Sequence, residues 1–181
     1  QRCSALRVLC LQEDIADKFE DLLVGYMDQL SIGDPLLLST DVGPVIEARA
    51  LETLERHVER MSSEASVRHR AAIPDGLSRG TFFAPTLVDI DSLDALEGEV
   101  FGPVLHVLRY PANRLTETIA AVNATGFGLT MGLHSRIETR AREVVKASKA
   151  GNIYVNRNMV GAIVGVQPFG GSGSRSAARA G

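Results

Sequence analysis

Three stretches carry side chains whose types and spacing could do chemistry. The first is Arg2-Cys3-Ser4. A thiol reacts as its thiolate, and a neighbouring cation favours that form, so Cys3 beside Arg2 is a candidate nucleophile. The plainer reading is a small buried hydrophobe. The second is Glu99-Val100-Phe101-Gly102-Pro103. Its carboxylate is of the kind that binds ribose hydroxyls in dinucleotide sites, and its aromatic ring can pack on a flat ligand. Taken alone it is a turn before a strand. The third is Gly161-Ala162 with the following residues to Gly171. Glycine lets backbone approach a ligand closely, and exposed N–H groups can hold a carboxylate. A surface loop is the alternative, but Val160, Ile163, Val164, Val166 and Phe169 are too apolar to leave in water.

Other chemistries find no pattern. The 2 cysteines and 4 histidines give no zinc-ligand spacing, so no metal is expected. No phosphate-binding G-x-x-x-x-G-K-[ST] loop occurs, and Gly126-Phe127-Gly128 does not extend to G-x-G-x-x-G because Met131 stands at the last position. His57 lies beside an apolar stripe and reads as a boundary side chain rather than a ligand. A net charge of −3 leaves no basic surplus for nucleic acid or anionic membrane. No apolar run approaches the roughly 20 residues of a membrane span.

The elements that must position these residues alternate. Ala5 to Leu11 reads as a short strand, on which Cys3 and Cys10 would stand about 23 Å apart and too far to bridge. Asp14 is placed as the cap of a helix running to about Leu30, with Ile15, Phe19, Leu22, Leu23 and Tyr26 at helical spacing. A second helix follows Gly43-Pro44, with Pro44 near its first position and Leu51, Leu54, Val58 and Met61 as its apolar stripe. Strands are expected over Thr81–Val88, with Pro85 pushing it to an edge or a break, and over Val104–Tyr110, Leu129–Ser135 and Ile153–Val155. Helices are expected over Leu115–Val122 and Ile137–Ala150. This alternation predicts an α/β layered domain with a largely parallel sheet flanked by helices. At 181 residues, 45% apolar and 23% charged, the chain fits one globular domain. The domain is expected over residues 1–171, with a Gly/Ser/Ala/Arg-rich flexible tail at 172–181. The chain opens without Met or a secretory signal. We therefore expect the interior of a longer protein, with free thiols suited to the cytoplasm.

Taken together and in order, these stretches resemble the catalytic domain of the aldehyde dehydrogenase family. Gln1-Arg2-Cys3-Ser4-Ala5 is similar to the family's G-Q-x-C, and Glu99 to Val104 to its E-x-F-G-P. Asn123 to Thr130 is similar to N-x-x-x-x-G-L, Gly151 to Asn156 to G-x-x-x-x-N, and Pro168-Phe169-Gly170-Gly171 to P-F-G-G. Within the family, Arg2 to Arg7, Tyr154 to Ala162 and Val164 to Phe169 resemble the L-glutamate γ-semialdehyde (pyrroline-5-carboxylate) dehydrogenase domain of bifunctional proline-utilising flavoproteins.

The resemblance implies that this chain is a fragment of an NAD-dependent enzyme of proline catabolism. Cys3 would attack the aldehyde and pass through a thiohemiacetal and a thioester. Glu99 would bind the nicotinamide ribose, and Phe101 the nicotinamide side. Arg2, Ser4, Gly161, Ala162 and Phe169 would bind the substrate, with the two backbone N–H groups of Gly161 and Ala162 on its carboxylate. The general base, the oxyanion Asn and most of the cofactor domain would lie upstream, as would any FAD-binding proline dehydrogenase domain. The fragment alone is expected to be inactive. The family's C-terminal oligomerisation strand has no counterpart in Ser172 to Gly181, so homo-oligomerisation stays open. Another semialdehyde, such as succinic semialdehyde, or a non-catalytic structural role for this segment are the competing readings.

Overall fold

The computed structural model describes residues 1–77, 79–160, 166 and 169–171. They fall into two compact units. The first holds Gln1 and Arg7–Tyr110, the second Arg2–Leu6 and the chain from Pro111 onward. The tail at 172–181 and the expected ligands Gly161 and Ala162 lie outside the described residues.

The first unit is built on a four-stranded sheet. Its strands are β1 (Val8–Gln12), β2 (Ser66–Arg70), β3 (Thr86–Ile90) and β4 (Val104–Tyr110), in the order β1-β4-β3-β2. β4 runs parallel to β1 and β3, and β2 is antiparallel to β3. Because side chains alternate along a strand, each face has its own partner. Leu11, Leu87 and Val107 form one core with Ala16 and Met27 of α1 (Glu13–Met27), joined by Leu9, Leu23 and Leu105. On the opposite face His106 of β4 meets His57 of α2 (Ala48–Glu64), with the ring nitrogens 2.8 Å apart.

The α1 face carries a buried charge. Glu20 is fully buried, and Arg109 grips both its carboxylate oxygens, Nε to Oε1 and Nη2 to Oε2, each at 2.8 Å. Arg68 Nε adds a third contact at 3.0 Å, and Arg109 Nη1 also reaches Asp17 at 2.7 Å. A buried carboxylate persists only with such pairing. The outward side of α1 presents Ile15, Phe19, Leu22 and Tyr26, all exposed.

The second unit pairs two parallel strands, β5 (Thr130–Leu133) and β6 (Asn152–Val155), with α3 (Leu115–Ala124) and α4 (Glu138–Ala147). The Asn123 amide closes the α3 end on the α4 end, donating to Ala147 O and accepting from Lys149 N–H, both at 2.9 Å. Gly151 and Gly170 cross so closely that a Cβ on Gly151 would collide with the Gly170 carbonyl.

The α/β class and the long elements agree with the sequence reading, with specific corrections. The strand expected from Ala5 begins at Val8, because Arg2 to Ala5 form a turn. Asp14 sits inside the first turn of α1 rather than capping it, and takes a hydrogen bond from Gln12 Nε2 at 2.7 Å. Pro44 precedes α2 by a short loop instead of starting it. β3 begins after Pro85 and is an interior strand, so Pro85 breaks no ladder. β2 was not expected: its Ser-Val-Arg-His-Arg sequence holds one apolar residue, and it pairs with β3 across an irregularity between Val67 and His69. The strands also divide between two sheets rather than one.

Two outcomes test this packing. Glu20→Ala leaves Arg109 and Arg68 without their buried partner, and is expected to cost about 3–5 kcal/mol in urea unfolding. Burial and the neighbouring His106 hold the His57 pKa down, from 6.5 to about 4. The unfolded chain then binds more protons than the folded one between those pH values, so stability falls as pH drops from 6.5 to 4. Unfolding midpoints measured at both ends should show that slope, and His57→Gln should make it shallower, with the buried His106, also held below its ordinary value, keeping part of it.

Candidate functional site

Cys3 lies in a turn that the Ala5 N–H closes on Arg2 O at 3.2 Å. Cys3 and Ser4 are its central residues, and the cysteine is free and exposed. The small-buried-hydrophobe reading therefore fails for Cys3. It fits Cys10, which is half-buried in β1, and burial pushes its thiol up to about 11. Arg2 is exposed beside Cys3, while Ser4 is buried at 6%. The turn thus sets an exposed cysteine and an exposed arginine beside a buried serine.

Glu99 and Phe101 belong to the first unit, at the turn entering β4. Gly102 N–H donates to Val100 O at 3.1 Å, and Val104 N–H to Gly102 O at 2.8 Å, which folds the chain tightly there. A Cβ on Gly102 would stand 2.5 Å from Leu54 of α2, so the close approach of that buried leucine calls for glycine. The turn puts the Phe101 ring at the surface, 40% exposed, with Glu99 half-buried two residues before it. A surface aromatic ring can pack on a flat ligand, and a carboxylate can accept from hydroxyl groups.

Of the expected substrate residues, Arg2 and Ser4 share the Cys3 turn. Phe169 is 43% exposed, just ahead of Gly170 and Gly171. Asn152 Nδ2 fixes that stretch by donating to Gly170 O and to Leu129 O, both at 2.7 Å. Asn156, at φ 55°, clamps Ser135 from both sides: its Oδ1 accepts the Ser135 N–H at 2.9 Å and its Nδ2 donates to Ser135 O at 3.0 Å. An open depression of about 530 Å³ adjoins it, lined by His134, Arg136 and Glu138 among others. No group of acidic, His and Cys side chains suited to a metal occurs among the described residues.

Sequence reasoning missed three participants. Gln1 donates from Nε2 to Phe101 O at 2.9 Å and accepts from Ile46 N–H at 2.9 Å. The Arg7 guanidinium lies 4.8 Å from the Phe101 ring centre. His106 donates from its backbone N–H to Arg7 O at 3.0 Å, and its Nδ1 lies 3.1 Å from the same oxygen. A histidine in the apolar strand Val104–Tyr110 was the available signal for the last of these.

The model of the aldehyde dehydrogenase family matches residues 1–180. The chain is 51% identical over 178 residues to the bifunctional protein PutA of Klebsiella aerogenes, covering 96% of this chain and 14% of that protein. It is 34% identical over 173 residues to the 1-pyrroline-5-carboxylate dehydrogenase of Geobacillus sp. (strain WCH70), covering 94% of this chain and 33% of that protein. A crystal structure of Bradyrhizobium japonicum proline utilization A superposes with a TM-score of 0.90 at 46% identity, over 96% of this chain and 17% of that one. The chain therefore spans a third or less of the length of these relatives. No described helix is long and apolar enough to cross a membrane. On the match along nearly its whole length, the chain belongs to the aldehyde dehydrogenase family.

Proposed function

We propose that this chain supplies the nucleophile-bearing part of a dehydrogenase that oxidises L-glutamate γ-semialdehyde to L-glutamate in proline catabolism. The observation that carries this reading is the exposed Cys3 on its hydrogen-bonded turn, in a chain half identical to PutA proteins and a third identical to a 1-pyrroline-5-carboxylate dehydrogenase.

The residues then divide the work. Cys3 Sγ, as thiolate, adds to the aldehyde carbon and forms a thiohemiacetal. The Cys3 backbone N–H faces the developing oxyanion, together with a side-chain amide from upstream polypeptide. NAD⁺, when bound, supplies the hydride acceptor. Glu99 would hold the nicotinamide ribose hydroxyls, and Phe101 would pack against the nicotinamide side. The acyl group left on Cys3 is released by water that a carboxylate from upstream activates. At the far end of the substrate, Arg2 places a cation near the α-carboxylate. The Gly161 and Ala162 N–H groups bind that same carboxylate, Ser4 supports this end, and Phe169 covers the aliphatic carbons.

Several measurements test this reading. In the intact polypeptide that carries this sequence, Cys3→Ser should cut NADH formation from glutamate semialdehyde and NAD⁺ by about a thousandfold or more, the scale on which loss of a nucleophile acts. Cys10→Ala should leave it within a few-fold. The value of kcat/KM should be higher for glutamate semialdehyde than for succinic semialdehyde, and the reverse order would remove the substrate assignment. The 181-residue chain by itself should form no NADH. A rate matching that of the intact polypeptide would mean that the base and the cofactor contacts lie within it.

A further inference from the structure

The turn that carries Glu99 and Phe101 is held at three points, all within the first unit. The first is Gly102, so close to Leu54 of α2 that a side chain there would collide. The second is the Phe101 carbonyl. Gln1 Nε2 donates to it at 2.9 Å, and Gln1 Oε1 accepts from Ile46 N–H at 2.9 Å, so one amide plane ties the turn to a second loop. The third is the Phe101 ring. The Arg7 guanidinium lies over it, 4.8 Å from its centre, within the range of a cation–π contact.

The hold by Arg7 has a fixed root. Arg7 is half-buried, and its carbonyl accepts the His106 backbone N–H at 3.0 Å. His106 is 1% exposed, and its ring Nδ1 lies 3.1 Å from the same oxygen. His106 belongs to β4, the strand that the Phe101 turn enters. The root of the Arg7 side chain and the turn are therefore set on one strand. A surface phenylalanine ordinarily samples several rotamers. A guanidinium over one face of the ring removes that freedom before any ligand arrives. Phe101 keeps 40% of its surface exposed, which leaves area for a second flat group.

We propose that Arg7 and Gln1 are positioning residues for the cofactor: Arg7 presets the Phe101 ring and Gln1 presets its main chain, so that the nicotinamide meets an aromatic surface already in place. The inference rests on the dehydrogenase reading above, which assigns Phe101 to the nicotinamide side, and adds the residues that order that contact. A group ordered in advance spares the ligand the cost of ordering it, and the saving appears in affinity.

The test uses the intact polypeptide and two ligands, NAD⁺ and ADP-ribose, the second of which lacks the nicotinamide. Affinities are measured by calorimetry without aldehyde. Arg7→Met keeps length and removes the cation, and Arg7→Lys restores a cation. Gln1→Glu keeps the shape and the acceptor for Ile46 N–H, but turns an oxygen toward Phe101 O, where a donor stood. Arg7→Met is expected to weaken NAD⁺ binding about threefold to tenfold, and Gln1→Glu about twofold to fivefold. ADP-ribose affinity should stay unchanged in both, and Arg7→Lys should recover most of the loss. In a Phe101→Leu background, Arg7→Met should cost nothing further, because its effect passes through the ring. Amide hydrogen exchange without ligand gives a second readout. Gly102 and Val104 donate to Val100 O and Gly102 O, and both amides should exchange faster in Gln1→Glu while Ile46 keeps its rate.

Unchanged NAD⁺ affinity, or equal losses for NAD⁺ and ADP-ribose, overturns the positioning role. An Arg7→Met loss that persists without the ring overturns the part given to Arg7. So does tighter NAD⁺ binding in Arg7→Met, the result that repulsion between its cation and the nicotinamide cation would give. Unchanged exchange at Gly102 and Val104 overturns the part given to Gln1. If the unaltered polypeptide binds neither ligand, the dehydrogenase reading itself fails, and the cofactor role of this turn fails with it.

Discussion

A planar side-chain amide offers donors and an acceptor a fixed distance apart, so one residue can close on two backbone groups at once. The loops of this protein depend on that property. Gln1 joins the start of the chain to Ile46 and Phe101. Asn123 joins the ends of α3 and α4, and Asn152 joins Leu129 to Gly170. Asn156 locks the chain after β6 to Ser135. Loop backbone lacks the ladder that satisfies a strand, and unpaired polar groups are costly when water is excluded. Each amide supplies such partners to loop backbone.

The first unit sets these loops on a sheet braced by polar contacts on both faces. On one face Arg109 and Arg68 neutralise Glu20 and tie α1 to β4 and β2. On the other, His57 and His106 join α2 to β4 without net charge, since burial keeps both imidazoles below their ordinary pKa. Apolar packing supplies most of the stabilisation but tolerates sliding. A bidentate ion pair and a directional imidazole contact each accept one register. β4 takes part in both, and the Phe101 turn leads directly into it.

The legible parts of the fold were those with a strong period or a single dominant signal. β4 is an apolar run bounded by Pro103 and Pro111, and its expected limits coincide with the observed ones. α1 and α2 showed their apolar stripes. β2 showed nothing, because three of its five residues are Arg or His paired with acidic groups from other elements, and such pairing leaves no local mark. The candidate site divides in the same way. Cys3, Glu99 and Phe101 stand out by residue type. The roles of Gln1, Arg7 and His106 depend on partners about a hundred positions away, which spacing cannot register.

The amide joints also give the protein a chemical clock. Asparagine is among the thermolabile side chains, and hydrolysis of its amide leaves the outline intact while replacing donors with acceptors. At Asn156 the product would turn a carboxylate oxygen toward the Ser135 carbonyl, converting an attraction into a repulsion without changing the residue's size. Asn156 is exposed, whereas Asn123 and Asn152 are half-buried. Deamidation in an ageing sample would therefore reach the connection beyond β6 first and loosen it while the sheet of the first unit stayed whole.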